Sequence, residues 1–181
     1  MYKEFFDIRK AVINDAKGIS KVHVDSWKTT YKNIVPDGYL TNLTYENREQ
    51  IWLHNIPNGG VYVAENSKGE IVGFSSGGKE RSGKYTGFDG ELYAIYILKE
   101  YQGLGIGKAL VKPIIDEMKS MYLKSMIVLV LKDNNSRLFY EALDAKKIDV
   151  IEIEISGEKL SELVYGWEDI TTISSFLRSD R

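Results

Sequence analysis

Three glycines at alternate positions, Gly103, Gly105 and Gly107, join an apolar run to a stretch of helical apolar spacing in Gln102-Gly103-Leu104-Gly105-Ile106-Gly107-Lys108. A helix that opens just after a strand presents unpaired amide donors and partial positive charge at its first turn, so it attracts anions. Glycine lets a phosphate approach backbone that a side chain would hold away. The spacing excludes two nucleotide sites. A nucleoside-triphosphate loop needs four residues between its glycines and a hydroxyl after its lysine, whereas three residues separate Gly103 from Gly107 and Ala109 follows Lys108. A dinucleotide fingerprint wants its third glycine where Lys108 or Leu110 stands. Taken alone, the loop is a phosphate site of unassigned ligand or a glycine-rich turn with none.

Composition removes other chemistries. With 181 residues, 43% hydrophobic and 12% aromatic, the chain is expected to form one domain over 1–181, with its core at about 6–168 and a C-terminal tail at 169–181. Twenty-four Lys and Arg against 26 Asp and Glu give a net charge of -2, without the basic excess that a nucleic-acid partner needs. The absence of cysteine removes disulfides, thiolate metal sites and a cysteine nucleophile. His23 and His54 stand far apart without ligand-type companions, so no metal is expected. The start MYKEFFDIRK lacks the apolar core of a signal peptide, and no run is long enough to span a bilayer. The expectation is a cytoplasmic protein with no membrane partner.

The elements that must position the loop follow from periodicity. Asp7 to Ile13 reads as a strand, and Asn14-Asp15 as the cap of a helix from Ala16 to Tyr31. Ile34 to Gly38 reads as a turn, and Thr44 with Asn47 opens a second helix ending before Pro57. Val61–Ala64 and Ile71–Phe74 form a hairpin around Asn66 to Gly69. Gly77 to Gly90 reads as a loop before a strand at Glu91–Leu98. After the glycines comes a helix with Leu110, Ile114, Met118 and Met121 on one face, kinked but not stopped at Pro113. Met126–Leu131 reads as a strand buried on both faces. Asp133 to Ser136 offers caps for a helix ending near Asp144. Val150–Ile155 alternates as a half-buried strand, Ser156-Gly157 turns the chain, and Leu163–Trp167 pairs back. Ile170 to Arg181 is a polar tail without an assigned element.

The segment from Glu91 to Gly107 resembles motif A of the GNAT N-acetyltransferase superfamily, with Gln102, Gly105 and Gly107 filling its Arg/Gln-x-x-Gly-x-Gly/Ala pattern. Asn134 to Leu143, an asparagine followed by Phe139-Tyr140, resembles motif B. The order of elements from Asp7 to Trp167 is similar to the family throughout. The resemblance implies an α/β fold with a mixed, mostly antiparallel sheet, splayed between the strands at 91–98 and 126–131 and flanked by helices on both faces. It implies acetyl-CoA as cofactor, its pyrophosphate on the amides of Gly103, Leu104, Gly105, Ile106, Gly107 and Lys108. Its pantetheine arm would lie on the backbone of Ile95 and Ile97 and on Asn134, with Asn135 as the alternative for that asparagine.

Tyr140 sits where the family places its general acid, and Glu91 where histone-acetylating members place a general base, with Tyr93 as a possible relay. Trp27, Tyr31 and Tyr39 fall in the segment that walls the acceptor pocket, where aromatic rings suit an amine. His23 reads as a packed histidine. The function implied is acetyl transfer to a primary amine by direct attack, the acceptor being a small molecule or a protein amine. The alternative is a non-catalytic CoA-binding regulatory domain. Asp144 departs from the glycine usual at that helix end. The final hairpin and tail offer a surface for a second copy, hence a homodimer.

Overall fold

The structure is a computed structural model that describes residues 5–178; positions 179–181 of the expected tail lie outside them. Seven strands form one sheet in the order β1-β2-β3-β4-β5-β7-β6. They are β1 (Phe6–Lys10), β2 (Val61–Asn66), β3 (Ile71–Lys79), β4 (Gly90–Ile97), β5 (Met126–Leu131), β6 (Lys146–Ile155) and β7 (Glu158–Trp167). Every pairing is antiparallel except β4 with β5. On one face lie α1 (Ala16–Thr30), α2 (Asp37–Thr41) and α3 (Tyr45–Asn55); on the other lie α4 (Ile106–Ser120) and α5 (Ser136–Ala142).

Local chemistry explains most boundaries. Thr44 caps α3, its hydroxyl accepting from the Asn47 amide at 3.2 Å. The β2–β3 turn is held by Asn66, whose side-chain oxygen accepts from the amides of Lys68 and Glu70. The Ser156-Gly157 turn has both residues at positive φ, 50° and 83°, as a two-residue hairpin requires. Asp144 closes α5 with φ 65°, in the left-handed region that aspartate tolerates better than most side chains. The helix α4 runs through Pro113 to Ser120.

Several boundaries differ from expectation. Asp15 does not cap α1. Its carboxylate accepts from the Val12 amide at 2.8 Å and pairs with Arg9 at 2.8 and 2.9 Å, so it ties β1 to the helix entry. Residues 77–79 continue β3; a Cβ on Gly77 would stand 2.8 Å from Ile114. Gly77 therefore lets α4 lie close on a strand rather than marking a loop. Met121 falls beyond α4 and is exposed. The C-terminal segment is not a polar tail: a 3-10 turn at Ile170–Ile173 leads into α6 (Ser174–Leu177), and Ile170 and Ile173 are 1% and 0% exposed in the core under α4.

The feature that creates a site is the splay of the sheet. β4 and β5 pair only at Gly90–Leu92 with Met126–Val128. Opposite β3, the register passes from Gly77↔Leu92 to Ser76↔Ala94, which leaves Tyr93 as an extra, bulged residue. A bulge bends and twists its strand, and β4 parts from β5 at this point.

Candidate active site

Beyond the bulge, one edge of β4 is left without a neighbour. In an antiparallel pair the backbone groups of successive residues alternate between the two sides. Leu98 donates its amide to the Val72 carbonyl at 2.9 Å, so in the same register Tyr96 also faces β3 while Ile95 and Ile97 turn their amides and carbonyls into the gap. Gln102 reaches back from the loop, its Nε2 donating to the Ile97 carbonyl at 3.2 Å.

At the end of that edge, Gly103 and Gly105 have φ 76° and 84°, and nothing lies within 4 Å of where a Cβ would stand on either. The Ala109 amide bonds to the Gly105 carbonyl at 3.2 Å; the amides of Ile106, Gly107 and Lys108 before it have no acceptor within the helix. Gly107 has a different role, since its Cβ would stand 3.1 Å from Phe139. It spaces α4 from α5. Leu104 is exposed and turns toward a shallow hollow beside Phe6 and Ile8, and Ile106 is buried in the core, so only their backbones belong to the loop.

The free edge and the loop share one cleft of about 590 Å³, a size usual for small-molecule sites. It brings together Ile95, Ile97, Gln102, Gly103, Gly105, Gly107, Lys108, Asn134 and Tyr140. Asn134 is 5% exposed; its Oδ1 accepts from the Ser136 amide at 2.8 Å and its Nδ2 donates to the Tyr31 hydroxyl at 3.1 Å. Tyr140, also 5% exposed, makes no side-chain hydrogen bond among the described residues. Burial, and next the nearby Tyr31, push its hydroxyl well above the ordinary phenol range, so it keeps its proton through neutral pH.

Five of the expected wall and catalytic residues do not line the cleft. Tyr31 lies beneath Asn134, and Trp27 packs against it at a tilt with ring centroids 4.3 Å apart, within a cluster that includes Tyr39 and Tyr96. Trp27, Tyr31 and Tyr39 are packed behind the wall. Tyr93 donates its hydroxyl to the Lys79 carbonyl, with the Arg81 guanidinium 4.1 Å above its ring. Glu91 is buried, and both its oxygens accept from Arg81, at 2.6 Å from Nη2 and 3.2 Å from the amide. His23 is packed as expected: its Nδ1 accepts from Trp52 at 3.1 Å, and burial, then Arg48, lower its pKa to about 4.

The Acetyltransferase (GNAT) family model matches residues 25–144, a span that contains the loop, the free edge, Asn134 and Tyr140. The chain belongs to the GNAT acetyltransferase family. This GNAT acetyltransferase is 41% identical over 170 residues, 94% of its length and 97% of the relative's, to an uncharacterized N-acetyltransferase, YuaI, of Bacillus subtilis (strain 168). Its fold is that of PaiA N-acetyltransferase from Thermoplasma acidophilum, solved with coenzyme A (TM-score 0.67, 22% identity, 87% of this chain and 98% of that one). It is also that of YncA, a putative acetyltransferase of Salmonella typhimurium solved with acetyl-CoA (TM-score 0.66, 19% identity, 90% and 92%).

Sequence reasoning left the helix wall of this GNAT cleft unassigned and passed over Glu162, which does not itself line the cleft. The α1 wall is built by Ser26, Thr29, Thr30 and, just beyond the helix, Ile34; helical spacing places Ser26 and Thr30 on the same inward face as Ile19 and Val22, and nothing local shows that this face opens on the cleft in its last turns. Glu162 on β7 is half-buried, makes no hydrogen bond or ion pair among the described residues, and sits opposite Leu131 in the register. Leu131 belongs to the cluster around Tyr31. Burial, then the charge of Glu91, raise the Glu162 pKa. Among the described residues no three His, Cys, Asp or Glu converge as metal ligands would, and no helix is long and apolar enough to cross a membrane.

Proposed function

We propose that this GNAT acetyltransferase moves an acetyl group from acetyl-CoA to a primary amine by direct attack. The observation that carries the reading is the cleft through the splayed sheet, with a free backbone edge along one side, open glycines at one end and an unbonded phenol within. The residues fit the cofactor. The loop amides suit a pyrophosphate, the edge at Ile95 and Ile97 suits an amide-bearing arm bound by strand addition, and Asn134 stands across the gap. The CoA-bound and acetyl-CoA-bound proteins of the same fold support the choice. Acetyl-CoA supplies an activated thioester.

The chain's own groups then handle protons. An ammonium acceptor must lose a proton to become a nucleophile, and the departing thiolate must gain one. Tyr140, protonated at neutral pH and free of other bonds, donates to the sulfur. Glu91 is committed to Arg81, whose guanidinium neutralises its charge and closes it as a proton site. Glu162, unpaired on the same sheet face and raised in pKa, takes the proton from the acceptor. The unpaired Glu162 carboxylate on this face favours a cationic amine as the incoming group.

Acetyl-CoA incubated with a panel of primary amines and assayed for free thiol tests the reading. Amine-dependent thiol release is expected. Measurable acetyl-CoA binding without release for any amine would overturn it in favour of a non-catalytic CoA-binding domain.

A further inference from the structure

Among the described residues only two buried side-chain polar atoms lack a hydrogen-bond partner, Ser26 Oγ and Trp27 Nε1. They belong to consecutive residues of α1, beside the cleft. Such orphans are scarce in folded proteins because leaving a buried polar group unpaired costs free energy. Two other α1 hydroxyls bond locally: Ser20 donates to the Lys17 carbonyl at 2.8 Å, and Thr29 to the carbonyls of Asp25 and Ser26 at 3.1 Å. Thr30 is partly exposed on the cleft, where water can reach it; Ser26 is the buried hydroxyl left without a partner. It is 2% exposed and is one of the residues that line the cleft, together with Ile95, Tyr96 and Ile97. Trp27 does not line the cleft; its indole is enclosed by the rings of Tyr31, Tyr39 and Tyr96.

We infer that Ser26 is a ligand-binding residue whose hydroxyl is completed by a carbonyl oxygen of the acyl-pantetheine arm. The inference rests on the acetyl-CoA reading and adds a contact from the helix side of the cleft. An extended arm paired with the β4 edge satisfies the groups it turns toward Ile95 and Ile97. Carbonyls turned toward α1 need a donor there, and the cleft wall on that side offers the Ser26 hydroxyl. In the free protein the same hydroxyl is a local cost, because nothing in the fold bonds to it. Binding and stability are therefore opposed at this position: the group that strengthens the complex weakens the empty chain.

The test measures acetyl-CoA binding by calorimetry and the melting temperature of the ligand-free protein, for wild type, Ser26→Ala and Ser20→Ala. Ser26→Ala is expected to raise the dissociation constant about five- to tenfold, the loss of one hydrogen bond, while the ligand-free melting temperature holds or rises. Ser20→Ala, which removes a satisfied hydroxyl outside the cleft, should lower the melting temperature and leave the dissociation constant unchanged. Unchanged affinity in Ser26→Ala overturns the inference and leaves acetyl-CoA binding standing. So does weakened affinity accompanied by a lower ligand-free melting temperature, which would make the hydroxyl part of the fold. A wild-type protein that binds no acetyl-CoA overturns both readings together.

Discussion

Tyr140 and Glu162 hold ionisable groups that the rest of the fold leaves unbonded, and each has a separable consequence. Tyr140→Phe removes a proton donor without emptying any volume. It should lower kcat by about 10²-fold or more while steady-state acetyl-CoA binding and melting temperature stay near wild type. Glu162→Gln should flatten the acidic limb of the kcat/KM pH profile, since the carboxylate must be ionised to accept a proton. Its stability effect has a defined sign. A carboxylate whose folded pKa lies above its unfolded value penalises the fold at neutral pH, and the penalty fades as pH falls through the folded pKa. The Gln variant should therefore resist denaturant better than wild type at pH 7, and the advantage should vanish near pH 4, around the ordinary glutamate pKa. Equal denaturation midpoints at both pH values would count against the raised pKa.

The glycine loop and the β4 bulge act as elements. At φ 84°, Gly105 stands where an added Cβ meets backbone strain of about 1–2 kcal/mol, and where the open space should receive a ligand. Gly105→Ala should lower stability by that amount in urea titration and raise the KM for acetyl-CoA. An unchanged KM would show that the loop's open side is not used. Much of this part was legible in the sequence, because glycine spacing, strand period and the Phe139-Tyr140 pair are local signals. What escaped was tertiary. Nothing in the run from Glu80 to Asp89 announces that Arg81 folds back onto Glu91, so a residue placed correctly at the strand mouth loses its freedom as a base. Gly77 read as part of a loop for the same reason, since the closeness of α4 that requires it lies more than thirty residues away in sequence. Glu162 sat in a strand whose alternation was visible only around Leu163–Trp167, and its partner-free state depends on neighbours from other strands.

At the scale of the whole molecule, the C-terminal segment closes the core instead of trailing from it. Ile173→Ala should cost about 2–5 kcal/mol, the range for emptying a filled aliphatic site, although the residue is far from the cleft in sequence. Thermal unfolding checks this, and a loss within the noise would place Ile173 outside the cooperative unit. The splayed sheet has a wider consequence. A β-edge inside a folded body is an incomplete structure, and in the function proposed above the strand that completes it is the arm of the cosubstrate. The stability of the protein is thus tied to its supply: at a ligand concentration of 100 Kd the fold gains about 2.7 kcal/mol, and starved of acetyl-CoA it returns to its lower ligand-free stability. Amides of Ile95 and Ile97 should exchange with solvent in the empty protein and become protected when acetyl-CoA binds. The enzyme's lifetime in a cell would then track the acetyl-CoA pool, a metabolic readout that requires no regulatory domain.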